Sequence, residues 1–187
     1  MKIEDILDQI YPLPPLSRKK LESCIKEVSF PRGHLLLRRG RVESKIYFLK
    51  KGIVRAYAYQ NDSEITFWFG REGETIISMK SYVDRQPGYE DVELLESCEL
   101  YEISTQNLRK LFDEDIHIAN WGRRFAEKQL IKTEERLISR EFRSAADRYK
   151  DLMEKNPDLL QRVQLGYIAS YLGITQVSLS RIRSEIR

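Results

Sequence analysis

Near the C-terminus, Gln176, Val177, Ser178, Ser180, Arg181 and Arg183 form a run that is polar or basic apart from Val177, interrupted by Leu179 and Ile182 at helical spacing. A helix that enters the major groove of DNA needs such an outward set: no acid, and donors and acceptors for base edges and phosphates. It also needs a support that holds it at a fixed angle. The preceding residues have that pattern. In Leu165-Gly-Tyr-Ile-Ala-Ser-Tyr-Leu-Gly-Ile-Thr-Gln-Val-Ser-Leu-Ser-Arg-Ile-Arg, a small residue, Ala169, falls where two helices would cross, and Gly173 falls where a turn needs positive φ. Ile168, Leu172, Ile174, Leu179 and Ile182 occupy the inward positions, and the outward set points away from them. Thr175 is placed to cap the second helix and to offer that helix's first N–H groups to a phosphate. An ordinary helical hairpin shares the glycine turn, but not the whole set of constraints. The spacing predicts a DNA-reading helix-turn-helix.

Bulk properties describe an ordinary soluble globular protein. The chain has 187 residues, 41% hydrophobic and 33% charged, with no apolar run long enough to span a membrane. The opening residues Met1 to Leu7 lack the apolar block of a signal peptide, so a cytoplasmic protein is expected. Cys24 and Cys98 are too few and too far apart for a disulfide scaffold or a metal cluster, and His34 and His117 cannot supply a three-histidine centre. No metal, no cofactor and no catalytic residue is expected. Charge is uneven: 60–104 holds eleven acidic against three basic residues, whereas 122–150 holds nine basic against five acidic and 162–187 four arginines against one glutamate. The C-terminal part supplies the field that attracts a polyanion, and the middle repels it.

These residues must be carried by definite elements. A helix through Ile3, Ile6, Leu7 and Ile10 is followed by a proline-rich break and a second helix from Ser17, with Leu21, Cys24, Ile25 and Val28 on one side. From Val28 to about Ile103 the period changes to short alternating runs between glycines: Leu35–Arg38, Lys45–Lys50, Ile53–Gln60, Ile65–Phe69, Thr75–Met79, Val92–Leu95 and Glu99–Ile103. Such spacing predicts an antiparallel barrel or jelly roll with Ile46, Phe48, Val54, Ala56, Phe67 and Phe69 inside. Ser104 then caps a short helix through Leu108, Leu111 and Phe112. From about Ile116 to Arg140 runs a long helix, roughly 37 Å at about 1.5 Å per residue. Ala119, Ala126, Leu130, Thr133 and Leu137 make a small-and-leucine seam suited to a second copy of the chain, and Ile118, Trp121, Phe125, Ile131 and Ile138 a face for the barrel. A helix near Ser144–Lys155, stopped by Asn156-Pro157, leads into the terminal motif. The expected class is α+β, with a barrel domain over 1–115, a dimerisation helix over 116–142 and a DNA-binding domain over 143–187.

In this order, the glycine-punctuated barrel, long helix and terminal motif resemble the bacterial catabolite-activator and fumarate-nitrate regulator (Crp/Fnr) family. The resemblance is carried chiefly by Phe30-Pro31-Arg32-Gly33-His34-Leu35-Leu36-Leu37-Arg38-Arg39-Gly40, by Tyr47-Phe48-Leu49-Lys50-Lys51-Gly52-Ile53-Val54-Arg55, and by the DNA motif. It implies a cyclic-nucleotide-binding-like β-roll that senses a small effector, a winged-helix-like DNA-binding domain, and a homodimer on a near-palindromic double-stranded DNA site. RNA polymerase is the further partner implied. Members that bind cyclic AMP carry Phe-Gly-Glu-Leu and Arg-Ser-Ala signatures, whose arginine holds the phosphate. The matching stretches here are Ile76-Ile77-Ser78-Met79 and Glu90-Asp91-Val92, where an acidic residue would repel a phosphate, so cyclic-nucleotide binding in the usual mode is not expected. Arg55, Ser78, Lys80, Tyr82, Arg85 and Tyr89 are the candidates for a different effector pocket. The four-cysteine iron–sulfur arrangement of other members is absent.

In the family, the first, second and sixth positions of the recognition helix read bases, which points here to Gln176, Val177 and Arg181. Arg181 suits guanine and Gln176 adenine, whereas Val177 offers only an apolar contact to a thymine methyl. The chain ends directly after this helix, without the strand hairpin of longer members. Phosphate anchoring is therefore expected from Arg162, Gln164, Arg183 and Arg187, or from the dimer partner, with Thr175, Ser178 and Ser180 at cap or phosphate positions. Two readings compete with a DNA-binding regulator. A cupin-like barrel enzyme would need a histidine-rich metal site that two histidines do not supply. A ligand sensor acting through protein contacts would lack the steep salt dependence of DNA binding.

Overall fold

A computed structural model describes residues 1–61 and 63–186. The chain is of the α+β class. Two helices, α1 (Ile3–Ile10) and α2 (Pro15–Ser23), precede eight described strands: β1 (Lys26–Phe30), β2 (Leu35–Leu37), β3 (Lys45–Lys51), β4 (Val54–Gln60), β5 (Ser63–Gly70), β6 (Thr75–Ile76), β7 (Asp91–Leu94) and β8 (Cys98–Ser104). A short helix α3 (Met79–Asp84) lies between β6 and β7. Two helices follow the strands, α4 (Thr105–Glu114) and the 27-residue α5 (Ile116–Phe142). The strands form two four-stranded sheets, ordered β1-β8-β3-β6 and β2-β7-β4-β5. Contacts gather the chain into two compact units, one made of 1–56 with 69–130 and the other of 57–68 with 131–187.

The first unit holds most of the roll. β8 is its spine, pairing antiparallel with β1 from Lys26↔Glu102 to Phe30↔Cys98 and with β3 from Lys45↔Ser104 onward. The register slips between Leu49 and Lys51, next to Gly52. Gly52 has φ 120°, and a Cβ there would stand 2.3 Å from Cys98 Sγ, so only glycine fits this bend. Ile46 and Phe48 of β3, Ile6 and Leu7 of α1, Leu21 of α2 and Leu108 of α4 share a core with Ile118 and Trp121 of α5. Trp121 anchors the long helix there: its indole N–H donates to the Leu7 carbonyl at 3.0 Å, and its ring meets Phe48 edge-on. Ser104 caps α4 by accepting from the Asn107 N–H, as its position predicts.

Several expectations for the roll need correction. The second helix stops at Ser23 rather than reaching Val28, because Lys26 to Phe30 is drawn into antiparallel pairing with β8. The run Thr75–Met79 keeps only two strand residues. β6 meets β3 at Tyr47↔Ile76 and Phe48↔Thr75 alone, and the chain then turns into α3. Ile46, Phe48, Val54, Ala56 and Phe69 are buried as expected, whereas Phe67 is half-buried.

The second unit contains the rest of α5 and four further helices: α6 (Ala145–Lys155), α7 (Pro157–Arg162), α8 (Leu165–Leu172) and α9 (Gln176–Ile186). Ser144 caps α6 by accepting from the Asp147 N–H and donates to the Asp147 carboxylate at 2.6 Å. Asn156-Pro157 ends α6 as predicted, but Pro157 also begins α7, which no signal in the sequence sets apart from a loop. A first-turn position has no use for the N–H that proline lacks. Tyr149, Leu152, Leu159, Val163, Ile168 and Leu172 are buried in this unit. Arg148 of α6 donates to the Leu172 carbonyl at 2.7 Å, to Arg143 at 2.5 Å and to Arg140 at 3.3 Å.

In the latter half of α5, Ile131 and Ile138 are 54% and 56% exposed rather than covered, beside Leu130 at 63% and Leu137 at 59%. Ala126 and Thr133 are also exposed and Ala119 is half-buried. The helix completes its core contacts through Ile118 and Trp121, and two apolar stripes run bare beyond them.

Candidate nucleic-acid interface

The terminal motif is built from the turn outward. Gly173 takes φ 69° and ψ 32°, the left-handed conformation its type permits, and ends α8. Its N–H returns to the Ser170 carbonyl at 3.0 Å, and Ile174 N–H bonds to Ala169 at 3.0 Å. Ala169 is 1% exposed where the helices cross, and Leu179 of α9 is fully enclosed. Ile174 and Ile182 are half-buried at the margin of the crossing. Thr175 caps α9: its hydroxyl oxygen accepts from the Ser178 N–H at 3.1 Å and lies 2.9 Å from the Ser178 hydroxyl. The helix therefore starts with its cap satisfied by its own residues.

The outward face of α9 is open. Gln176, Ser178, Ser180 and Arg181 are exposed, and Val177 is 73% exposed. Ser180 donates back to the Gln176 carbonyl at 3.0 Å, which draws it toward the helix surface. Arg183 differs from Arg181 in being half-buried. Gln164 is the residue before α8, in extended conformation, and makes no side-chain cap bond. Arg162, at the end of α7, is exposed and lies 3.6 Å from the Asp158 carboxylate. Arg187 lies outside the described residues. Gln176, Val177 and Arg181 thus share one exposed face, and Arg162 and Gln164 belong to the segment leading into α8.

The proposed effector residues do not all gather. Arg55 of β4 is 2% exposed and is held by Glu93 of β7 at 2.7 Å, an ion pair between neighbouring strands. Ser78, 2% exposed, precedes α3; its hydroxyl finds no hydrogen-bond partner among the described residues. Glu90, 7% exposed, accepts from the Tyr89 N–H at 3.0 Å. These two meet at Gly88, where a Cβ would stand 2.6 Å from Ser78 Oγ and 3.3 Å from a Glu90 carboxylate oxygen. Lys80 and Tyr89 are exposed, and Arg85 is exposed in a left-handed conformation at the end of α3. Tyr82 is half-buried under the Arg109 guanidinium, which also bonds to its carbonyl. A carboxylate and a hydroxyl thus lie buried on either side of Gly88.

Four hydrogen bonds around β5 and α8 have no signal in the local sequence. Ser170 of α8 accepts from the Thr66 N–H at 2.9 Å and donates to the Glu64 carbonyl at 3.1 Å. Arg136 of α5 reaches the Phe67 carbonyl at 3.4 Å. Arg148 bonds to the end of α8, as described. No local pattern reveals such pairs, since Ser170 and Thr66 lie 104 positions apart.

Residues 27–115 match the cyclic nucleotide-binding domain model. No curated protein matches the chain by sequence. Among solved structures, the chain is similar to FixK2 from Bradyrhizobium japonicum, with TM-score 0.75 and 18% identity over 87% of this chain and 84% of that one. It is similar also to the c-di-GMP responsive global regulator CLP of Xanthomonas campestris, with TM-score 0.68 and 18% identity over 92% and 91%. The Thermus thermophilus catabolite activator protein gives TM-score 0.61 at 18% identity over 97% and 86%. Read with the roll, the long helix and the terminal motif, these likenesses give the chain the Crp/Fnr fold, with residues 27–115 forming a domain of the cyclic nucleotide-binding type.

Proposed function

We propose that this chain is a DNA-binding transcription regulator of the Crp/Fnr type that acts as a homodimer joined along α5. The observation that carries the reading is the α8–α9 pair. A left-handed glycine turn, a buried alanine crossing and a capped second helix expose Gln176, Val177 and Arg181 together. A helix so held presents its N-terminal residues to a major groove, and two of them related by a dimer axis read a pseudo-palindrome. The bare seam of Ala126, Leu130, Thr133 and Leu137, with Ala119 at its half-buried end, supports the second copy. In this reading Gln176, Val177 and Arg181 face bases. Arg162, Gln164, Arg183 and Arg187 face phosphates, with Thr175, Ser178 and Ser180 at the helix start.

Control by cyclic AMP in the usual mode is not part of this reading, because Glu90, which the resemblance aligns with the phosphate-holding arginine, is acidic and buried. An effector of other chemistry is left to the region of Ser78 and Glu90, and RNA polymerase is the further partner. The test is selection of bound duplexes from random DNA by the purified chain, followed by titration at several salt concentrations. The reading expects an enriched pseudo-palindrome and an affinity that falls steeply with salt, as counterions are released. Binding to protein targets with shallow salt dependence and no enriched duplex would replace it.

A further inference from the structure

We propose that Ser170 is a positioning residue for DNA reading, acting through β5: it clamps the reading motif to the strand that α5 also holds. The inference rests on the DNA-binding reading above. Within the second unit, the Ser170 hydroxyl both accepts from Thr66 N–H and donates to Glu64 C=O. Residues two apart in a strand point their backbone groups to the same edge, so this one hydroxyl takes the place that a residue of a further strand would fill. β5 is the last strand of its sheet, and α8 covers its edge at this point. One position further on, Phe67 C=O receives Arg136 of α5. The four residues Glu64 to Phe67 therefore tie the first helix of the motif to the long helix.

The geometry has a consequence for recognition. Two recognition helices in a dimer meet successive grooves about 34 Å apart, so each must keep a fixed bearing on the helix that joins the two copies. α9 is set by α8 through the Ala169 crossing and the Gly173 turn, and α8 is set by Ser170. Thr66, itself fully buried, gives the clamp an enclosed seat. Removal of the Ser170 hydroxyl frees the bearing without touching any side chain on the face of α9.

The test compares wild type, Ser170→Ala and Ser170→Thr in the full chain, on the selected duplex and on duplexes with one base pair added to or removed from its centre. Wild type should discriminate against altered spacing. Ser170→Ala should lose most of that discrimination, at least threefold, with half-site sequence preference intact, and Ser170→Thr, which keeps a hydroxyl, should restore it. Amide exchange at Thr66 should rise at least tenfold in Ser170→Ala alone. Unchanged spacing discrimination, or a loss that Ser170→Thr does not restore, overturns the proposal. If wild type selects no duplex, the DNA-binding reading fails, and the positioning role with it. Thr66 exchange then separates the cases: a rise in Ser170→Ala keeps the clamp as a structural contact, and no rise removes that too.

Discussion

Ser17 and Asp115 stand 98 positions apart, yet the Ser17 hydroxyl lies 3.1 and 3.0 Å from the two oxygens of the Asp115 carboxylate. The same carboxylate accepts from the N–H groups of His117 and Ile118 and so caps α5. Burial alone would raise Asp115, but Ser17, these N–H groups and nearby Lys20 outweigh it and hold the carboxyl below its ordinary range. A lowered carboxyl contributes stability above its unfolded pKa, about 3.9, and loses that contribution as pH falls through the lower folded value. Asp115→Ala should cost about 1–2 kcal/mol at pH 7. The gap to wild type should close as pH drops below about 4 in denaturant titrations. A gap that stays constant with pH would mean that the charge contributes nothing.

Gly52 and Cys98 form a second close pair. Gly52→Ala combines a strained φ with a collision at Cys98 Sγ and should destabilise by at least about 1–3 kcal/mol. Adding Cys98→Ala should recover part of this, since the nearest atom is then gone, and chemical denaturation of the four variants measures the coupling. Burial first, then the charge of Glu96, push the Cys98 thiol up to about 11. It should resist alkylation at pH 7 in the folded protein while half-buried Cys24 reacts, as mass spectrometry of the labelled chain will report.

Ala126→Glu tests the dimer seam. A carboxylate from each copy would meet its twin across the helix pair. Light scattering should find a folded monomer; a dimer of unchanged stability would place the interface elsewhere.

Arg181 and Arg183 should separate by function. Arg181→Ala is expected to cost about 1–3 kcal/mol per half-site on the selected duplex and to relax preference at one position. Arg183→Ala should weaken all duplexes alike and lower the salt slope by about one per subunit. Gel-shift titrations on selected and random duplexes decide it. Equal losses on both for Arg181→Ala would remove base reading from this residue.

Cyclic AMP should give no specific heat on titration into the wild type. A micromolar dissociation constant would show that a basic residue such as Lys80 takes the phosphate.

The parts of this fold that were legible are those set by neighbours along the chain. Gly173, Ala169 and Leu179 announce the helix crossing because turn, spacing and burial repeat within a few residues, and Ser104 announces α4 because a cap is a local bond. The parts that were not legible depend on distant partners. Residues 26–28 read as the end of a helix until β8 claims them, and Thr75–Met79 reads as a strand although only two residues find β3 opposite. Proline at 157 marks a stop equally well whether a loop or a helix follows, and α7 follows. At the candidate site, the outward face of α9 was readable from its periodicity. The half-burial of Arg183 and the seat of Ser170 were not, since each depends on tertiary contact. Ile131 and Ile138 read as a face for the barrel because they are apolar, yet both are exposed, since apolarity alone does not name a partner.

Arg148 restricts which amino acids its position can accept. Its single guanidinium serves three carbonyls, at the last turn of α5, at the break after it and at the end of α8. A planar fork can send separate N–H groups to separate acceptors, whereas an ammonium is a compact point that prefers its own water shell. Lysine at 148 would keep the charge and still leave acceptors unmet. The junction between the long helix and the reading motif is therefore closed to the commonest conservative exchange among basic residues, and any lineage that makes it must rebuild the joint around a different donor.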